Sequence, residues 1–498
     1  FNVGIIIFSK KNYYSLKMSE SIKKEVTTKD LFLYACGSGT IGVNNVVFGT
    51  YLLIYYNQVL GLNPALASLA ISISLIFDAI SDPLIGAWSD RVKTKIGRRH
   101  PFVYFSIFPL ALCFYFLFSE PLYNTQTYLF WKLMILVILV RLALTFYETP
   151  RAALGPELTK DYDRRNLLNG MGMSMGFVGG IFVSFVMLGF FLEETDTLQG
   201  ANAYFNTGAY ENFGVLAALM TIIFGFISAL STHKYIPHLH NPEVESKFSL
   251  KELKNELLES LSNRPWLILV SSGCFYALSI GITYGTGTYI GAYFWQWTPE
   301  DVAAFPLVSG VSAILGAITA VVLATGREKK VICVSVFFAA TILTPMPYWL
   351  RLSEQYFAFS LFPANGTDLL WWVICIHTGI TDFLAVMGFV LVISMAFDVV
   401  ENSQTKTGRR DEGLFLSGPG LIQKVLTGLG LFILGIVLQL VGFDAQGTIS
   451  EMQEPIYKLV TFQSTVAPLL TVSAAIILIF YNISRESHNE ALDKLGYK

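Results

Sequence analysis

The sequence predicts an all-α membrane protein of twelve transmembrane helices, divided into two halves of six, with both termini cytoplasmic. Three observations predict it. Of the 498 residues, 53% are hydrophobic and only 14% are charged, whereas soluble domains carry about 25% charged residues. Apolar runs of roughly 20 residues recur along the whole length, each long enough to cross a ~30 Å hydrocarbon core. The connections between these runs alternate in charge.

In chain order the spans are expected near 31–57, 64–88, 101–119, 128–155, 167–192, 212–235, 265–297, 302–325, 330–350, 369–399, 413–443 and 457–482. The longest connection, 236–264, falls midway. Its Leu250, Leu253, Leu257, Leu258 and Leu261 repeat at helical spacing, which suggests an amphipathic helix lying on the membrane face. The expected organisation is a cytoplasmic tail over 1–30, a first six-helix bundle over 31–235, the linker 236–264, a second bundle over 265–483 and a tail over 484–498. Within the first tail, residues 1–17 read as an extension ahead of a start at Met18. The two tails and the even-numbered connections hold 28 of the 34 Lys and Arg residues, while the opposite connections carry acids such as Glu193, Glu194, Asp196, Glu300 and Asp301. The cytoplasmic excess of Lys and Arg places both tails inside. It also checks the span count, because one missed helix would invert every later connection.

Several function classes are excluded or disfavoured. Basic residues sit in short loops rather than on a face, so no nucleic-acid partner is expected. No HExxH is present, and the six histidines are scattered, so the chain is not read as an enzyme. The five cysteines fall inside apolar segments without CxxC spacing and are expected to be packed free thiols. His238 and His240 read as part of a solvated loop.

The informative residues are charges inside spans. Each costs about 2.5–3.5 kcal/mol at a helix centre on insertion scales, and is expected only beside a cavity or a partner. Asp78 and Asp82 are four residues apart and share one helix face. Close carboxylates repel in low dielectric, and a bound proton or monovalent cation relieves that repulsion. Ser81 adds a neutral oxygen; Thr145 and Glu148, one turn apart in the fourth span, add a hydroxyl and a third carboxylate. Pro150 then frees a carbonyl in that span. Rival readings are an Asp82-Pro83 cap or kink, and ion pairs of Asp78 or Glu148 with Arg141 or Arg151. Lys424 lies about eleven residues into the eleventh span and is expected to face Glu148 across a cavity. Asp382 and His377 in the tenth span read equally as packing residues. After the second span, Gly86, Asp90, Arg91, Arg98 and Arg99 form a tight turn whose charges bridge helix ends and latch one conformation.

Four stretches, FDAISDPLIGAWSDRVKTKIGRRHPF, YETPRAALGPELTKDYDRRNLLN, FDVVENSQTKTGRRDEGLF and LIQKVLTGLG, resemble the glycoside–pentoside–hexuronide:cation symporter family of the major facilitator superfamily. The animal lysolipid symporters and plant sucrose carriers are similar in the same regions. The resemblance implies the major facilitator fold, with two six-helix bundles, a central cavity and alternating access. It further implies a cation site on Asp78, Asp82 and Thr145, with Ser81 where the melibiose carriers have asparagine, so that Na⁺ and H⁺ both remain open. The family's fourth-span acid falls on Glu148 and its eleventh-span lysine on Lys424, both implied in substrate binding. Three departures stand out: the first-span sugar-binding aspartate falls on Gly42, the tryptophan after the fourth-span acid on Ala152, and the fifth-span arginine on Gly172.

The expectation is a monomeric symporter of the cytoplasmic (inner) membrane. It moves a sugar, glycoside or uronide with Na⁺ or H⁺ as coupling ion, and needs no other cofactor. The alternative is a lysolipid or other amphiphile as substrate; a membrane enzyme is the reading from another class.

Overall fold

The computed structural model describes residues 26–239, 263–407, 412–443 and 449–495, apart from 93, 160, 356 and 358–361. Twelve helices are long and apolar enough to cross a membrane, as the apolar runs require. They are α1 (Thr28–Val59), α2 (Pro64–Arg91), α3 (His100–Phe118), α4 (Gln126–Leu158), α5 (Leu167–Phe191), α6 (Thr207–His233), α7 (Arg264–Thr283), α8 (Pro299–Ala324), α9 (Lys329–Leu352), α10 (Asp368–Thr405), α11 (Pro419–Leu440) and α12 (Gln453–Ile479). A short polar helix, α13 (Arg485–Leu495), follows. The amphipathic helix expected in the linker lies almost wholly outside the described residues, as does the tail up to residue 25.

Local sequence sets the helix starts. Asn63 caps α2 by accepting from the amides of Ala65 and Leu66, with Pro64 in the first turn. Thr125 caps α4, Asn263 caps α7, and Thr298 with Asp301 forms a capping box at α8. Such side chains satisfy amides that have no partner within the helix. Pro83 and Pro150 lie inside continuous helices, so the Asp82-Pro83 pair neither caps nor ends α2. The helix α7 does break: Gly285 takes φ +76°, and the chain resumes as a helix from Thr286 that ends in a π-helical turn at Ile290–Phe294. Glycine is the residue that adopts this conformation without steric cost.

Within each half, the first and fifth helices meet backbone to backbone. A Cβ on Gly42 would lie 1.9 Å from the Gly176 carbonyl oxygen of α5, and one on Gly281 would lie 2.3 Å from the Thr427 carbonyl oxygen of α11. Between the halves, α2 packs on α11 and α5 on α8. Gly435 sits against Ser68, Gly428 against the Ser72 carbonyl, and Gly310 against Ile181. The Gly435–Ser68 contact lies toward the end away from the termini, here the distal end. There α1 and α7 are tied by Thr288 Oγ1 to the Thr50 carbonyl (3.0 Å), Tyr289 Oη to Asn57 Oδ1 (3.0 Å) and Tyr293 Oη to Gln58 Oε1 (2.6 Å). Tyr289, Tyr293, Asn57 and Gln58 are all buried. The distal end is sealed.

Candidate functional site

Halfway along the molecule, below the α2–α11 contact, three helices place charges in one cluster. From α2, Asp78 and Asp82 project from one face, as their spacing requires. From α11, in the other half, Lys424 reaches across. Its Nζ lies 2.8 Å from Asp78 Oδ2 and 2.5 Å from Asp82 Oδ2. From α4, Thr145 donates to Asp78 Oδ1 (3.2 Å) and sits 3.1 Å from the Ser81 hydroxyl, which donates to the Asp78 carbonyl. The Arg141 guanidinium lies 3.9 Å from Asp78 Oδ2 and stacks over Phe48 at 4.1 Å. Asp78 is buried, whereas the Lys424 and Asp82 side chains retain 36% and 27% exposure. Water therefore reaches them, and with the distal end sealed it comes from the end bearing the termini.

Four of the five predicted cation-site residues, Asp78, Ser81, Asp82 and Thr145, thus come together, and the expected pairing of the lysine differs. Lys424 does not pair with Glu148. Its ammonium rests on the two α2 carboxylates, because α11 packs against α2 rather than α4. Glu148, one turn beyond Thr145, forms no ion pair with any described residue, though it lies in the field of Arg151 and Lys424. Of the rival pairings, Asp78 with Arg141 is present. Arg151 turns instead to α1, donating to Ser38 Oγ (3.0 Å) while Tyr34 Oη donates to the Arg151 carbonyl (2.5 Å). Asp382 and His377 form no ion pair with any described residue; Asp382 meets the Ser309 hydroxyl and His377 Nε2 contacts the Leu343 carbonyl.

The turn after α2 gathers as its charges suggested, around an acid that the sequence reading did not assign. Arg98 and Arg99 both bind Glu157 at the end of α4, the latter at 2.9 Å, and Arg99 also meets Asp90 at 3.1 Å. Gly86 lets α2 approach Thr149 of α4: a Cβ there would lie 3.3 Å from its methyl group. Arg91 is the exposed last residue of α2. Glu157 lies within a stretch quoted above, but only the fold shows that α4 ends beside Arg98 and Arg99. Tyr284, at the break in α7, was also not anticipated. It meets the Arg141 side chain and lies 3.6 Å from where a Cβ on Gly49 would be.

As a ligand set, two carboxylates, two hydroxyls and the water route suit a hard monovalent cation or a proton. In this geometry a lysine ammonium occupies the position between the carboxylates. In the second half, Asp398, Glu401 and His488 also gather within 4.8 Å, but Lys329 already binds Asp398 at 2.6 Å.

The family model for MFS/sugar transport proteins matches residues 33–485. An uncharacterised symporter of Synechocystis is 26% identical over 96% of this chain and 98% of its own. The isoprimeverose transporter of Lactiplantibacillus pentosus is 23% identical over 85% and 82%. The sodium-dependent lysophosphatidylcholine symporter 1 of Xenopus tropicalis is 21% identical over 95% and 90%. Among solved structures, the xylose transporter of Escherichia coli, in a partially occluded inward-open conformation, superposes with a TM-score of 0.57 at 12% identity, covering 92% of this chain and 98% of that one. At that identity the likeness shows the fold alone.

Proposed function

The chain belongs to the MFS/sugar transport protein family and is a multi-pass membrane transporter, and we propose on that premise that it is a secondary symporter moving a sugar, glycoside or uronide with Na⁺ or H⁺. The observation that carries this reading is Lys424 of one half held by Asp78 and Asp82 of the other. The ammonium stands in for the coupling cation. When Na⁺ or a proton takes the carboxylates, with Thr145 and Ser81 as further oxygens, Lys424 is released and a tie between the halves is lost. Cation occupancy then biases which end of the cavity opens, and a substrate that prefers one geometry is coupled to the ion. Glu148, beside this cluster and without an ion pair among the described residues, is placed to meet a substrate hydroxyl or the freed lysine. The Arg98–Arg99–Glu157–Asp90 cluster braces α2 against α4 at the far end.

The Lys and Arg excess orients both termini to the cytoplasm, so the structure is sealed toward the outside and wetted from within. The chain works as a monomer and without enzymatic activity on this reading. A specific feature favours the second substrate class: a largely apolar groove between α1, α5 and α8, lined by Gly42, Val46, Met173, Phe177, Ile181 and Pro306, suits an acyl chain, and a lysophosphatidylcholine symporter is among the relatives.

The test is uptake into proteoliposomes of labelled neutral glycosides, glucuronate and lysophosphatidylcholine, with Na⁺ and pH gradients imposed separately. Accumulation of one class under one gradient is expected. Asp78→Asn or Asp82→Asn should abolish accumulation while leaving exchange. Undiminished accumulation in both variants would remove the cation-site assignment.

A further inference from the structure

At the end bearing the termini, the second half carries a side-chain cluster that the symport reading leaves unused. Lys329 opens α9 and binds Asp398 of α10 at 2.6 Å, much as Arg98 and Arg99 ahead of α3 bind Glu157 of α4. Only the second half adds a further element, α13. Lys330 holds the chain after α12 by donating to the carbonyls of Ile479 (3.2 Å) and Tyr481 (3.0 Å), and Tyr481 Oη donates to the Met395 carbonyl of α10 (3.0 Å). The Arg485 amide donates to Glu328 (3.1 Å) and its guanidinium to the Gly326 carbonyl (2.6 Å). These contacts lay α13 against the end of α10.

From α13, His488 reaches two carboxylates. Its Nδ1 lies 3.2 Å from Glu401 Oε2 and 3.6 Å from Asp398 Oδ1. Asp398 and Glu401 are three residues apart and so share one face of α10. The Asp398, Glu401 and His488 side chains keep only 8%, 21% and 19% exposure. The Nδ1 atom is itself buried and makes no hydrogen bond with any described residue, in spite of that proximity. Buried polar atoms without a partner are rare. A ring nitrogen that presents its lone pair to two anionic oxygens is repelled by them, and a cation held by all three groups removes the conflict.

We propose that Asp398, Glu401 and His488 bind one divalent transition-metal ion of the zinc class, which pins α13 to α10. Tetrahedral bonds of about 2.0–2.2 Å place neighbouring ligand atoms about 3.3–3.6 Å apart, close to the two spacings around Nδ1. All three ligand atoms lie within 4.8 Å of one another, and water can take the fourth position. An imidazole ligand suits Zn²⁺, Co²⁺ or Ni²⁺, whereas Mg²⁺ and Ca²⁺ take larger shells of oxygen. Lys329 holds one oxygen of Asp398, and a carboxylate has a second. The lysine therefore weakens the site without closing it. Two carboxylates against one ammonium leave a net negative charge for a dication to neutralise. The site is separate from the Asp78–Asp82 cluster and does not depend on which substrate or coupling ion is moved.

The test uses the full-length protein in nanodiscs, without a polyhistidine tag, with Co²⁺ and Zn²⁺ as probes and Mg²⁺ and Ca²⁺ as comparisons. Co²⁺ should give the intense visible absorption of a four- or five-coordinate ion, saturating at one equivalent, and Zn²⁺ should bleach it. Zn²⁺ should also raise the unfolding temperature, while Mg²⁺ and Ca²⁺ do neither. His488→Gln keeps a polar side chain but removes the imidazole, and Glu401→Gln removes one carboxylate. Each should weaken binding at least about tenfold, the loss that removing even an outer partner of a ligand causes. His488→Cys, which supplies a thiolate ligand, should restore Zn²⁺ binding and so separates lost ligation from lost folding. Changing His238 and His240 to Gln should leave binding at the wild-type level. The inference is overturned if neither Co²⁺ nor Zn²⁺ binds at one equivalent, if Mg²⁺ competes as well as Zn²⁺, or if His488→Gln and Glu401→Gln both bind like the wild type.

Discussion

Removing the Lys424 side chain should turn this protein into a tighter cation binder that no longer couples. The ammonium lies 2.8 Å from Asp78 and 2.5 Å from Asp82. At an effective dielectric of about 20, each contact carries about 6 kcal/mol of gross attraction. Desolvating three charges offsets most of that. Breaking a buried pair costs about 3–5 kcal/mol because a charge is stranded. Here Lys424 is 36% and Asp82 27% exposed, so screening favours the lower end, about 3 kcal/mol. An external cation entering the vacated place regains that energy, which corresponds to a roughly hundredfold gain in affinity. The assay is thermal unfolding of wild type and Lys424→Ala in nanodiscs, titrated with NaCl at constant ionic strength and, in parallel, with acid. Without added cation Lys424→Ala should unfold at lower temperature. Na⁺ or protons should restore it at concentrations far below those the wild type needs. The double variant Asp82→Asn/Lys424→Ala should be more stable than Lys424→Ala, since one carboxylate is no longer left without its cation. If wild type and Lys424→Ala respond identically to both cations, the lysine does not occupy the cation position and the reasoning fails.

Three further outcomes follow from other parts of the structure. Tyr289→Phe/Tyr293→Phe removes two bonds of the distal seal and should destabilise the sealed geometry by about 2 kcal/mol, a roughly thirtyfold shift in population; spin labels on the distal ends of α1 and α7 should report a longer distance, and an unchanged distribution would show that the seal lies elsewhere. Glu157→Gln strands the Arg98 guanidinium, 13% exposed, and leaves Arg99 only its contact with Asp90; it should cost about 3 kcal/mol, measured as thermal stability, with Glu157→Asp costing less. Gly42→Asp should fail to fold, because its Cβ would lie 1.9 Å from the Gly176 carbonyl and forcing the backbones apart costs more than about 3 kcal/mol. Gly172→Arg, whose Cβ meets only Ser38 Oγ at 3.3 Å, should express normally, so equal expression of the two variants would contradict the packing argument.

Much of this architecture was legible because a bilayer admits few solutions. Backbone groups in hydrocarbon must bond within their own segment, so each apolar run had to be a helix, and the expected spans match the helices to within several residues except the seventh, expected to run to 297 but broken after Thr283. The cluster on α2 and α4 was legible in its two parts for a related reason: Asp78, Ser81 and Asp82 are joined by short helical spacings, as are Thr145 and Glu148, and the three carboxylates inside apolar sequence are conspicuous. What sequence spacing does not encode is which helix of the other half arrives opposite. Lys424 was expected to meet Glu148, yet α11 lies along α2, and that choice is made by Gly428 and Gly435 fitting against Ser72 and Ser68. Glu157 was obscured in the same way, since its partners come from a loop some sixty residues earlier.

The glycine at position 42 illustrates how a departure from a family pattern reads differently once packing is known. In the sequence, loss of the first-span aspartate looks like loss of a polar group, which by itself mildly favours an amphiphile as substrate. In the fold, Gly42 is where α1 and α5 touch backbone to backbone, an approach repeated by Gly281 and α11 in the second half. No side chain of any chemistry fits there, so the absent aspartate carries little information about polarity. The polar residues lining the remaining cavity are found instead toward the distal end, among Ser184, Thr288 and Ser309, in segments whose hydroxyls looked unexceptional in sequence. A carrier that retains the α2–α4–α11 charges while closing α1 on α5 keeps its coupling apparatus and gives up one place for substrate. The remaining volume that both halves line lies above that closure.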